Sequence, residues 1–170
     1  YVARYNTFTS PGTGFIIEVH SMQGLTNRAV RKWEFYGNIL NGVSKVGPFF
    51  IRGGTGVAFN NTLSGTFGGD TIRLDNVRSF NNIGGTAGLC NGSSLWDGNS
   101  ETTGWPCRDQ IGRGPAATQW ENNPPSAYTQ TSTPAYFWTN KRVNGLRMTV
   151  SVVNSPSDIH IVSDRDFYTE

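Results

Sequence analysis

The sequence predicts an all-β chain, most simply a right-handed parallel β-helix of about four to five coils. Three observations carry that prediction. The first is composition: the 170 residues include 21 Gly, 8 Pro, 16 Asn, 18 Thr and 14 Ser, while only 15% are charged. A bundle or coiled coil needs far more Ala, Leu, Glu and Lys, so both classes drop out. The second is an aromatic content of 12%, enough to build a core and to exclude a disordered chain. The third is an internal repeat.

Four segments share an extended aromatic stretch, an Asn, then an apolar residue and a small turn residue: 3–10, 35–42, 58–65 and 137–145. The last holds one extra residue before its apolar position. Each leads to a second strand, at 15–19, 49–52, 71–74 and 148–152. The step from Asn38 to Asn61 is 23 residues and that from Asn6 to Asn38 is 32. A step in the low twenties with two or three short strands suits one coil of a β-helix. The repeated Asn is expected at the bend between strands, because Asn tolerates the left-handed region better than any residue except Gly. Stacked from coil to coil, Asn6, Asn38, Asn61 and Asn140 should form a hydrogen-bonded ladder. A sandwich with Asn-rich hairpins is the alternative, but its turns should recur every 8–12 residues or so.

From about Gly84 to Thr133 the pattern stops, and a closing coil resumes at Ala135. One domain over 1–170 with a loop excursion at about 84–133 is therefore expected. Cys90 and Cys107, the only cysteines, lie in this excursion. One disulfide is the simplest reading, two free thiols the alternative. Closing a loop of this size stabilises a fold by about 3 kcal/mol through chain entropy. No metal site is expected, since His20 and His160 lack ligand spacing, and nothing implies a cofactor. The net charge of +2 comes from 11 Arg and 3 Lys scattered along the chain, which gives no nucleic-acid stripe. The longest apolar runs fall far short of the ~18 residues of a membrane-spanning helix.

The repeat units, and above all Cys90-Asn91-Gly92-Ser93-Ser94-Leu95-Trp96-Asp97-Gly98-Asn99 followed by Gly104-Trp105-Pro106-Cys107-Arg108-Asp109-Gln110-Ile111-Gly112-Arg113-Gly114, carry a resemblance. They resemble secreted bacterial proteins with right-handed parallel β-helix repeats, of the broad pectate-lyase-like group. The resemblance covers nearly the whole chain and implies a β-helix fold and secretion. It also implies that the segment is the C-terminal portion of a longer helix, with Asp164-Arg165-Asp166-Phe167-Tyr168 similar to the closing stretch. About chemistry it implies little, since a fold does not fix an activity.

Alternation sends Ile17, Val19, Phe49, Ile51, Ile72 and Leu74 inward. Counting from each Asn then aligns Glu18, Phe50 and Arg73 in one outward row, and His20, Arg52 and Asp75 in the next. These two rows form the most compact ionisable constellation in the sequence. Arg52 and Arg73 are candidates for gripping carboxylates. His20, Asp75 and Glu18 are the candidates for acid–base work, His20 because its ordinary pKa lies near neutrality. A salt-bridged, solvated face is the plainer alternative. The signatures of calcium-dependent pectate cleavage are missing: there is no acidic cluster for calcium and no Arg-x-Pro-x-x-Arg segment. Trp96 and Trp105 in the excursion either stack on sugars or pin the excursion to the coils. Trp33, Trp138, Tyr136, Phe35 and Phe59 fall in strand patterns and are expected to pack in the core or on a sheet face.

Two classes of function stay open. One is a secreted or extracellular module that engages polysaccharide, with catalysis unproven. The other is a structural protein, an adhesin or a fibre or filament subunit, whose bare terminal strand edges invite end-to-end association or flanking coils.

Overall fold

The computed structural model of the chain describes residues 1–10, 12, 14–20, 30–44, 46–69, 71–75, 111–115, 130–153 and 161–170. Three parallel sheets run through it. Sheet A orders β1 (Val2–Arg4), β4 (Lys32–Tyr36), β7 (Thr55–Phe59), β12 (Ala135–Trp138) and β15 (Phe167–Thr169). Sheet B orders β2 (Thr7–Ser10), β5 (Ile39–Ser44), β8 (Thr62–Phe67) and β13 (Lys141–Arg142). Sheet C orders β3 (Ile17–Val19), β6 (Phe49–Ile51), β9 (Thr71–Leu74) and β14 (Thr149–Val152). The chain visits A, B and C in turn and then returns to A one strand further along. This coil-upon-coil stacking of parallel strands in three sheets fits a parallel β-helix. The only antiparallel strand pair among the described residues is β10 (Arg113–Pro115) with β11 (Gln130–Ser132).

Each repeat unit divides into two strands at its Asn, as the bend expected there requires. Each coil thus holds three strands, within the two or three expected. The interior follows from alternation: Ala3, Phe35, Ala58 and Phe137 stand in register across four strands of sheet A, all buried. Large and small side chains alternate from coil to coil, so each phenyl ring fills the room that an alanine leaves. Trp33 obeys the same rule. It pairs with Gly56, where a Cβ would lie 2.5 Å from the indole ring, and its Nε1 donates to Gly53 O at 3.1 Å. On sheet C, Ile17, Val19, Phe49, Ile51, Ile72 and Leu74 are buried as alternation requires.

The Asn ladder forms at the A–B corner. Asn6 N donates to Asn38 Oδ1 at 3.0 Å, Asn38 N to Asn61 Oδ1 at 3.1 Å, and Asn61 N to Asn140 Oδ1 at 3.2 Å. Each buried side chain also donates back to the strand before it, Asn38 to Ala3 O, Asn61 to Phe35 O and Asn140 to Ala58 O. The expectation about the bend itself is corrected. The left-handed residue is the one before the ladder Asn: Tyr5 (φ 56°), Gly37 (φ 65°), Asn60 (φ 54°) and Thr139 (φ 50°). With the turn one residue earlier, the side-chain amides of Asn38 and Asn61 each donate both to a carbonyl of the coil before and to the Asn of the coil after.

The last described edge of sheet B is covered by the chain itself. After β13 the backbone reverses, so that Arg142 N donates to Leu146 O at 2.7 Å and Met148 N to Asn140 O at 2.9 Å. Lys141 and Arg147 form an antiparallel bridge there. This self-pairing occupies donors and acceptors that end-to-end strand addition would need. Of the excursion, Ile111 is fully buried and Gly112 locks it to the coils: Gly112 N donates to Gly54 O at 3.2 Å, and Thr133 N to Gly112 O at 2.9 Å. At φ 79°, with a Cβ that would sit 2.4 Å from Asp166 O, only glycine fits at 112. Cys90, Cys107, Trp96 and Trp105 lie outside the described residues. No helix among the described residues is long and apolar enough to cross a membrane.

Candidate functional site

Parallel pairing in register places side chains of one parity in rows about 4.8 Å apart along the sheet's outer face. On sheet C the first outward row is Glu18–Phe50–Arg73–Ser151. The pairing runs on past the strand ends, where Arg52 N donates to Val19 O at 2.9 Å and Asp75 N to Ile51 O at 3.0 Å. His20, Arg52 and Asp75 therefore follow as the next row. The structure thus brings together the five ionisable residues expected here.

Their surroundings differ from the solvated face that alternation alone implies. His20 and Glu18 are exposed, but Arg52 and Asp75 are only 8% exposed. Arg52 turns across its own strand toward the neighbouring row. Its Nη2 donates to Glu18 Oε1, and its Cζ lies 5.1 Å from the centre of the Phe50 ring. Arg73 Cζ lies at the same 5.1 Å from that ring. Phe15 stacks on Phe50 with centroids 4.5 Å apart. Phe50 is thus the platform of the site, gathering two guanidinium groups that are each attracted to its π system. Phe15 falls within the expected strand 15–19, but β3 starts only at Ile17, so alternation does not fix the side on which Phe15 stands.

Burial pulls the Arg52 guanidinium below its ordinary pKa, against the opposing pull of the Glu18 and Asp75 carboxylates. Arg52 remains a cation, because a guanidinium starts so far above neutrality. The Nε atoms of Arg52 and Arg73 are both buried and have no hydrogen-bond partner. Arg52 spends one nitrogen on Glu18, whereas Arg73 makes no ion pair among the described residues. His20 Nε2 stands 3.7 Å from Glu18 Oε1, close enough for an ion pair when the imidazole is protonated. Among the described residues, no group of three or more His, Cys, Asp or Glu side chains is placed to hold a metal.

The strand aromatics separate by parity. Trp33 and Phe35 are core, 1% and 0% exposed. Phe59, Tyr136 and Trp138 stand on the outer face of sheet A. A concavity of about 410 Å³ lies elsewhere, at the last coils, lined in part by Trp138, Asn140, Arg147, Met148 and Phe167. It shares no residue with the sheet C rows.

No family model, curated protein or solved structure matches this chain.

Proposed function

We propose that the chain is an extracellular β-helix module that binds acidic polysaccharide on the outer face of sheet C. One observation carries the reading: two guanidinium groups converge on Phe50, and one of them, Arg73, has no carboxylate partner among the described residues. A uronate supplies what this arrangement lacks, namely carboxylate oxygens for bidentate guanidinium contacts and a ring that can lie against an aromatic surface. Glu18 holds Arg52 in place instead of cancelling both charges, which leaves the Arg73 side of the platform cationic. His20, 3.7 Å from Glu18 Oε1, is the candidate for any proton transfer on this face. The glycine-, asparagine- and threonine-rich composition supports an extracellular setting.

A fibre or filament subunit is the competing reading. The self-pairing of the last described edge of sheet B at Asn140, Arg142, Leu146 and Met148 speaks against it.

The test is titration calorimetry of wild type and Arg73→Ala against polygalacturonate, alginate and an uncharged glucan. Wild type should bind the acidic polymers in a salt-dependent manner. Arg73→Ala should lose that binding at least tenfold. Equal affinity of the two proteins for every polymer would overturn the reading.

A further inference from the structure

The outer face of sheet A carries two neighbouring rows. In the first, Arg4, Tyr36, Phe59 and Trp138 are in register. Their rings stack face to face, Tyr36 on Phe59 at 4.8 Å and Phe59 on Trp138 at 4.4 Å, with planes within 8° and 3° of parallel. Both faces of Phe59 are therefore covered, and this row presents mainly ring edges. In the second row, Val2, Glu34, Val57, Tyr136 and Tyr168 are in register. Tyr168 stacks on one face of Tyr136 at 5.5 Å and 14°. On the other side the row holds Val57, too small to cover a ring.

A groove of about 260 Å³ opens there, lined by Lys32, Glu34, Val57, Thr133, Pro134 and Tyr136. Tyr136 is 45% exposed beside it. Glu34 and Tyr136 are two strands apart, about 10 Å at the usual strand spacing. A flat ring in van der Waals contact with the tyrosine, at about 4 Å, lies over Val57 and leaves the Glu34 carboxylate within hydrogen-bonding reach of its edge. Lys32 and Glu34 are exposed, sit on the same side of β4 and form no ion pair among the described residues. One face of the occupant must therefore be apolar and its rim rich in hydroxyls. Because the groove offers one positive and one negative side chain, the occupant carries no net charge.

We infer that this groove is a second carbohydrate subsite, which takes a neutral pyranose stacked on the open face of Tyr136. The inference extends the polysaccharide reading but uses a different sheet and a different ligand charge. The two therefore fail separately.

The experiment titrates the full chain with cellotetraose and xylotetraose and follows the tyrosine ring resonances by NMR. Saturable shifts confined to the Tyr136 and Tyr168 rings are expected in wild type and in Arg73→Ala. Tyr136→Ala should weaken binding at least tenfold, while Tyr136→Phe keeps it. Val57→Phe is the decisive variant. It completes the ring row, should leave the melting temperature unchanged or raised, and should abolish the shifts. Absence of saturable binding to either oligosaccharide would overturn the inference. Binding that survives Val57→Phe would do the same, as would a proline-rich peptide shifting these rings where the sugars do not.

Discussion

The A–B corner and the outer face of sheet C are built on the same coil stacking, yet they use it in opposite ways. At the corner one residue type repeats: Asn6, Asn38, Asn61 and Asn140 each donate to or accept from the next, and the last three are buried. On sheet C the register brings unlike residues together, with Glu18, Phe50 and Arg73 in one row and His20, Arg52 and Asp75 in the next. Identical neighbours saturate one another's hydrogen-bonding capacity, so the corner stabilises. Unlike neighbours leave a remainder, and the remainder here is the Arg73 cation and two unpartnered Nε atoms. Repetition makes the scaffold, and departure from repetition makes the proposed site.

The largest effect is expected at the corner. Asn61→Ala removes the acceptor of Asn38 N and Nδ2 and the donor to Phe35 O and Asn140 Oδ1, all in the interior. Stranding several buried groups should cost about 3 kcal/mol, read from urea denaturation. Asn6→Ala, at the exposed end of the same ladder, should cost less than about 1 kcal/mol in the same assay. Gly37→Ala tests the corrected position of the bend. It places a Cβ at φ 65° and 2.7 Å from the Tyr5 ring, and the left-handed conformation alone should cost about 1–2 kcal/mol. Had Asn38 carried the bend, Gly37→Ala would be nearly silent. On sheet C, Arg52→Ala should destabilise by about 1 kcal/mol or less, because its partner Glu18 is 41% exposed and water replaces much of the lost contact.

Much of this was legible in the sequence because Asn recurs at fixed offsets from apolar strand positions. Asn38 and Asn61 lie 23 residues apart and turned out to be bonded. The same offsets aligned Glu18 with Phe50 and Phe50 with Arg73. The bend residue was hidden because Tyr5, Gly37, Asn60 and Thr139 share a conformation and nothing else. The burial of Arg52 was hidden for a different reason. Alternation gives the direction of a Cβ, not the path of a long side chain that folds over its own strand onto Phe50. The roles of Phe59, Tyr136 and Trp138 needed parity counted from the ladder Asn, which separates them from Trp33 and Phe35 within the same strand patterns.

The corner ladder bonds coil to coil, and the proposed role of the sheet C face is to hold a ligand. Arg73→Ala, followed in parallel by thermal melting and by calorimetric titration with polygalacturonate, tests it most directly. A melting temperature within about 2 °C of wild type, as for a surface substitution, is expected together with at least a tenfold loss of affinity. A clear fall in melting temperature with unchanged affinity would contradict it and make Arg73 part of the scaffold.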